Sequence, residues 1–211
     1  MKRIDFWFDP VSPYAYLAFE HLPEALEGCS YTVEYRPVLF AGLLAHWGQK
    51  GPAEMEPKRR WTYRQVAWQA HRLGIPLDLP AVHPFNPLAL LRLAVAAGPN
   101  RRVVEAVMRH AWRGGADAAD AVRLGALERA LAPAREPGSS AVKAELRAQT
   151  DAAIARGVFG VPTFEVDGQC FWGLDALPML RAWLQGDPWY QGGAWDSAQD
   201  LRPHVERRPP K

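Results

Sequence analysis

The sequence predicts an α/β fold in which a small sheet, built from the two ends of the chain, is interrupted by an all-helical insertion. Three observations predict it: a strand–helix–strand order at the start, a strand–strand–helix order after Gly157, and helical periodicity between them. Met1 to Phe8 reads as a short buried strand through Ile4, Phe6, Trp7 and Phe8. Ser12-Pro13 then sets a capping hydroxyl before a proline at the first helical position, which opens a helix reaching Leu26. Tyr31 to Pro37 reads as the second strand. From about Pro57 to Arg156 the pattern is helical. Trp61, Val66, Ala70 and Leu73 fall near one face before Gly74, and Leu88, Leu91, Ala94 and Val95 form a second stripe before Gly98. Further helices are expected over Val103 to Trp112, Ala119 to Leu131 and Ser140 to Ala155, with a loop at Pro133 to Gly138. Gly157 stops the last of these, Val161-Pro162 enters a strand, and Asp167-Gly168 is a two-residue hairpin signal. Phe171-Trp172 returns, and Asp175 is expected to cap a final helix ending near Leu184. In the tail, Trp189, Tyr190 and Trp195 are expected to pin its early part to the body, and Arg207 to Lys211 to be mobile.

Composition excludes several function classes. The 211 residues carry 25 Lys and Arg against 23 Asp and Glu, a net charge of +2, so no global field favours nucleic acid or a membrane surface. No apolar run approaches the ~20 residues of a membrane span, and Met1-Lys2-Arg3-Ile4-Asp5 leads straight into the first strand, so a cytoplasmic protein is expected. Cys29 and Cys170 form no Cys-x-x-Cys pair and are expected to be packing residues. The six histidines show no metal-ligand spacing, so no metal is expected.

Arranged in this order, the elements make a thioredoxin-type sheet. The residues Ser12-Pro13-Tyr14-Ala15-Tyr16-Leu17, Gly51-Pro52 followed by Pro57-Lys58, Asn86, and Phe159-Gly160-Val161-Pro162-Thr163 with Trp172-Gly173 and Asp175 then carry a resemblance. Through about Trp183 the chain resembles the 2-hydroxychromene-2-carboxylate isomerases, which stand close to the kappa-class glutathione transferases and further from disulfide oxidoreductases of the DsbA type. The resemblance implies a thioredoxin-like fold formed by residues 1–45 and 157–186, a helical insertion over 46–156 and a tail over 187–211. Where an oxidoreductase has its nucleophilic cysteine this chain has Ser12, with Ala15 three residues on, so thiol–disulfide exchange at this position is excluded.

The resemblance further implies a borrowed nucleophile, the thiol of glutathione. A thiol has a pKa near ~8.5 and needs help to ionise; the Ser12 hydroxyl and the start of its helix would supply it, beside the plainer role of a helix cap. Val161-Pro162, cis by resemblance, would pair with the cysteinyl part of glutathione, or would simply be a proline opening a strand. Asp175 would meet the γ-glutamyl amine and the Gly173 and Leu174 amides its carboxylate, against the alternative of a capping aspartate. This chain has Leu174 and Ala176 where relatives are commonly polar. Lys58 would face a carboxylate of glutathione or substrate, with Arg59 and Arg60 as surface charge. Asn86 would hydrogen-bond substrate oxygens or only cap a helix. Tyr14 and Trp172, with Trp7 and Phe85, would wall an aromatic pocket. The activity implied is glutathione-dependent isomerisation of 2-hydroxychromene-2-carboxylate, a small aromatic carboxylate of naphthalene-type breakdown, to trans-o-hydroxybenzylidenepyruvate by a homodimer. A kappa-like transferase or peroxidase remains the alternative enzyme, and a noncatalytic thioredoxin-like binding protein the alternative of another class.

Overall fold

A computed structural model of the chain describes residues 1–200. Residues 201–211, including the stretch expected to be mobile, lie outside the described residues. The fold is thioredoxin-like. Strand β1 (Lys2–Phe8) is followed by helix α1 (Pro13–Ala25) and strand β2 (Tyr31–Pro37), which returns parallel to β1 from Lys2↔Tyr31 to Phe8↔Pro37. Helices α2 (Phe40–His46), α3 (Glu56–Leu73), α4 (Leu88–Ala97), α5 (Arg101–Trp112), α6 (Ala121–Leu131) and α7 (Ser140–Ala155) come next. The hairpin β3 (Thr163–Val166) and β4 (Gln169–Trp172) then adds antiparallel to β1, giving the order β2-β1-β3-β4, and α8 (Leu177–Gln185) closes the unit. Asp167 and Gly168 both have positive φ, as a tight two-residue hairpin requires.

The period-two alternation of β1 divides its side chains between two layers. Ile4, Phe6 and Phe8 join Phe164, Val166 and Phe171 of the hairpin, and pack with Tyr16, Phe19 and Leu22 of α1 and Leu177 and Leu180 of α8. Phe6 is 0% exposed, its ring stacked on Phe164 at 4.9 Å and on Phe8 at 5.5 Å. Trp7 points the other way, into a smaller cluster with Leu43 of α2, Ala153 of α7, Val158 and Val161. The first cluster continues through Val66 and Ala70 of α3, Leu93 and Ala94 of α4 and Val103, Val107 and Trp112 of α5, so these three helices share a core with the sheet, while α7 packs in separate clusters with α2 and α4.

Two sequence expectations need correction, and one helix has no sequence expectation behind it. Trp61 lies 63% exposed, because α3 buries only Val66 and Ala70 and that narrow stripe begins more than a turn beyond it. The seven-residue α2 was not foreseen: it is too short for a helical period to register, and it has no side-chain cap. Asp175 caps no helix; it lies in a 3₁₀ turn, Leu174–Ala176, because Pro178 in the first turn fixes the start of α8 two residues later. The early tail does dock. Trp195 stacks on Phe171 at 6.1 Å, and the Tyr190 hydroxyl donates to the Met179 carbonyl at 2.9 Å. Cys29 and Cys170 are free thiols packed at the edge of these clusters, and burial pushes Cys170 up to about 11. Among the described residues no helix is long and apolar enough to cross a membrane.

Phe6→Ala is expected to cost about 3–5 kcal/mol, since the two flanking rings cannot collapse into the space left; urea unfolding followed by tryptophan fluorescence measures it.

Candidate active site

Four residues, Asp9 to Ser12, turn the chain from β1 into α1, and this turn is held from several sides. Asp9 is 0% exposed; its carboxylate accepts from the backbone amides of Val11 and Phe40, each at 2.9 Å, tying the turn to the start of α2. Burial pushes its pKa up to about 7, against which the Val11 and Phe40 hydrogen bonds pull down. The Pro10 carbonyl accepts from the Trp112 indole at 2.8 Å. The Val11 carbonyl lies 2.7 Å from Nε2 of His83, whose Nδ1 lies 2.7 Å from the Tyr63 hydroxyl. A carbonyl can only accept, so Nε2 carries the proton and Nδ1 accepts from Tyr63. Burial, the larger influence, lowers the His83 pKa, which suits a neutral ring.

Ser12 ends the turn as the N-cap of α1. It is 7% exposed and in extended conformation, its Oγ accepting from the Ala15 amide at 3.3 Å. The same hydroxyl donates to the Val161 carbonyl at 3.3 Å, so it caps its own helix and touches the entry to β3, 149 residues away. Pro13 has no N–H and Ala15 is committed to Ser12, so the first-turn amide left for a ligand is that of Tyr14.

The Val161-Pro162 bond is cis. The Pro162 carbonyl accepts from Gly173 at 2.9 Å, which holds β4's exit beside β3's entry. Gly173 sits at φ 103, open to glycine, and a Cβ there would collide with the Asp175 carboxylate folded back over it. Trp172 is 54% exposed, with its ring 4.9 Å from that of Phe159. A Cβ on Gly160 would fall 2.6 Å from the Trp172 indole nitrogen, so the missing side chain is what lets the indole lie down there.

These residues open onto a cleft of about 500 Å³ between α1, α3 and the turn leading into α8. Tyr14, Val161, Pro162, Trp172, Gly173, Leu174 and Asp175 line it, as the sequence reading grouped them. The Tyr14 hydroxyl donates to Gln65 of α3 at 2.7 Å; burial raises its pKa, and the nearby Asp175 charge adds to the rise. Ser12, Lys58 and Asn86 are not in the lining; Ser12 reaches it only through the Val161 carbonyl that its hydroxyl meets. Lys58 is exposed in the first turn of α3, on the helix face that carries Gln65 toward the cleft. Asn86 is exposed, its side-chain oxygen accepting from the Leu88 amide at 3.0 Å. Trp7 and Phe85 are core residues, Trp7 donating to Glu165 at 3.0 Å and Phe85 packed near Trp112. Sequence reasoning missed His83 and Trp112 as supports of the turn, and gave Asp9 no role. An aspartate beside a proline is an ordinary turn signal, and nothing local marks a histidine 72 residues beyond Val11 as the partner of the Val11 carbonyl.

The chain is similar to several known proteins. Residues 3–185 match the DSBA-like thioredoxin domain. The chain is 33% identical over 193 residues to a 2-hydroxychromene-2-carboxylate isomerase of Sphingobium xenophagum, covering 87% of this chain and 98% of the relative. It is 31% identical to the isomerase of the same description from Pseudomonas putida, covering 85% and 92% of the two chains. A kappa 1 glutathione S-transferase of Rattus norvegicus is 26% identical, covering 89% and 92%. Among solved structures, a 2-hydroxychromene-2-carboxylate isomerase superposes with a TM-score of 0.75 at 26% identity, covering 92% of this chain and 98% of the other.

Two outcomes follow from the support of the turn. Relative to Asp9→Asn, the wild type should gain stability as pH falls from about 8 toward 5. The native carboxyl takes up its proton near 7, whereas the unfolded one waits until its ordinary 3.8; urea unfolding of both proteins across that range measures the difference. Gly160→Ala should leave the fold intact and turn the Trp172 indole away, seen as a shift in tryptophan emission together with weaker ligand binding in the cleft.

Proposed function

Since the chain belongs to the 2-hydroxychromene-2-carboxylate isomerase family within the DSBA-like thioredoxin domains, we propose that it is an isomerase that borrows the thiol of glutathione to turn 2-hydroxychromene-2-carboxylate into trans-o-hydroxybenzylidenepyruvate. The observation that carries this reading is Ser12. It is a nearly buried hydroxyl at a helix start, facing the Val161 carbonyl, at a position that offers no thiol of its own.

In this reading the sulfur of glutathione lies at the mouth of α1, beside Pro162. The Ser12 hydroxyl turns its hydrogen from the Val161 carbonyl to the sulfur, keeping the Ala15 amide as donor to its oxygen. The Tyr14 amide and the dipole of α1 add to it. Together these favour the thiolate by about 1–3 kcal/mol, or one to two pKa units. The peptide part extends along Val161 and Pro162, its γ-glutamyl end against Gly173, Leu174 and Asp175, with Trp172 as a wall.

No redox change is needed. The hemiketal of the chromene would open by breaking its ring C–O bond, the hydroxyl proton passing to the phenolic oxygen, and glutathione, when bound along Val161, Pro162 and Gly173 to Asp175, would supply a thiolate able to add reversibly to the conjugated ketone so formed, letting its double bond turn from cis to trans and leaving glutathione unchanged. Lys58 and the amide nitrogen of Asn86 orient the acidic end of the substrate, and Tyr14 holds the edge of the pocket. The enzyme of this reading is cytoplasmic and a homodimer, with the exposed Trp61 and Trp68 of α3 as an apolar face for the second copy.

Incubation with glutathione and the chromene acid tests the proposal: trans product with undiminished glutathione supports it, whereas consumed glutathione identifies a kappa-like transferase, and no rise in melting temperature with millimolar glutathione identifies a noncatalytic protein. Ser12→Ala should raise the pKa of the bound thiol by about one unit, read as thiolate absorbance, and lower kcat by about 10- to 100-fold.

A further inference from the structure

The Ser12 hydroxyl is not placed by its own hydrogen bonds. Its contact to the Val161 carbonyl and its contact from the Ala15 amide both measure 3.3 Å, beyond the usual range for either kind of bond, so a small shift loses one of them. What sets the oxygen is the backbone that carries it. Both peptide units before Ser12 are held at both ends. In the Pro10–Val11 unit the carbonyl accepts from the Trp112 indole at 2.8 Å and the amide donates to the Asp9 carboxylate at 2.9 Å. In the Val11–Ser12 unit the amide donates to the Asp9 carbonyl at 3.0 Å, and the carbonyl meets Nε2 of His83 at 2.7 Å.

The Trp112 indole can only donate, and it is fully buried. The His83 ring is different, because Nε2 donates in one neutral tautomer and accepts in the other. Tyr63 decides between them. It extends the inward stripe of Val66 and Ala70 by one turn of α3, and its hydroxyl lies 2.7 Å from Nδ1 and 3.3 Å from the His83 carbonyl. Burial raises the pKa of Tyr63 and the charge of Arg59 opposes the rise, so the hydroxyl keeps its hydrogen at neutral pH. With the ring neutral, that hydrogen goes to Nδ1 and leaves the ring proton on Nε2 for Val11. With the ring charged, Nδ1–H donates to the Tyr63 oxygen and the hydroxyl hydrogen turns to the His83 carbonyl, so the donor to Val11 persists in either state. Among the described residues, the ring is faced by Tyr63 from α3, Trp112 from α5, Phe85 from the same connection and the Val11 carbonyl.

We propose that Tyr63 and His83 are positioning residues for the thiol-activating hydroxyl: Tyr63 keeps the His83 proton on Nε2, and His83 fixes the Val11–Ser12 peptide from which the Ser12 side chain takes its direction. Neither residue lines the cleft, so both act through Val11. The assignment rests on the glutathione reading above and adds the means by which α3 and the connection after it hold the hydroxyl in place. A reacting group displaced by a fraction of an ångström loses rate even where the fold is intact.

Thiolate absorbance of bound glutathione and steady-state kinetics of the isomerisation, measured for wild type, His83→Leu, His83→Gln and Tyr63→Phe, test the pair. His83→Leu should raise the pKa of the bound thiol by about one unit and lower kcat by about tenfold, with KM for the aromatic acid changed by less than about twofold. His83→Gln keeps an N–H donor within reach of Val11 at every pH and should recover most of the loss, which a merely structural ring would not. Tyr63→Phe keeps the edge-on contact between the rings and should lower kcat by about threefold. Nitrogen NMR of the neutral wild-type ring, without glutathione, should show its proton on Nε2. Should His83→Leu fail to fold, Tyr63→Phe carries the test, since unaltered kcat and thiol acidity there overturn the pair. His83→Leu with wild-type thiol acidity, His83→Gln no better than a folded His83→Leu, or a neutral ring protonated on Nδ1 overturns the pair and leaves the glutathione reading standing. Wild type that does not ionise glutathione overturns both.

Discussion

The meeting of Ser12 with the Val161 carbonyl is the contact on which the site depends. It joins the start of α1 to the start of β3 across a sequence separation of 149 residues, and both partners are fixed before they meet. Ser12 is fixed by the parallel pairing of β1 with β2, which makes α1 the crossover and so puts its first turn at the end of β1. Val161 is fixed by β3, which pairs antiparallel with β1 from Trp7↔Thr163. With β1 central to both pairings, its exit and the entry of β3 share one end of the sheet, and a hydroxyl capping the helix there faces a carbonyl opening the strand.

Around that contact the protein spends polar groups on holding backbone still. Asp9 bonds two amides, His83 and the Trp112 indole each take a carbonyl of the same turn, and Gly173 donates to the Pro162 carbonyl. Each satisfies a buried backbone group that a short, non-repetitive turn leaves without a ladder partner. The outcome is a first helical turn whose free donors are few and fixed in place, which suits stabilising an anion at one point. The cleft walls carry charges of both signs, Asp175 close to Tyr14 and Arg72 and Arg181 on the flanking helices.

The helices between β2 and β3 contribute through two faces. Val66 and Ala70 attach α3 to the core that β1 and α1 share, and its polar stripe of Gln65, Gln69 and Arg72 faces the cleft. Trp112 of α5 and His83, in the connection after α3, reach the turn before Ser12 from behind. The helices are thus one wall of the cleft and the buttress of its active turn.

Much of this was legible along the chain. The strand ending in Phe8, the Ser12-Pro13 helix start, the Asp167-Gly168 hairpin and the grouping of Tyr14, Pro162, Trp172 and Asp175 rest on local rules: alternation, capping, positive φ and motif order. Such rules act over a few residues, so the sequence by itself determined which elements form and which side chain stands at each cap. Other features were decided by tertiary structure alone. The sequence has no means of pairing His83 with Val11 and Tyr63, of setting Trp61 outward, or of stopping Asp175 short of a cap. Those depend on how finished elements pack, and burial and proximity between residues far apart in the chain exist only once the sheet has closed around β1.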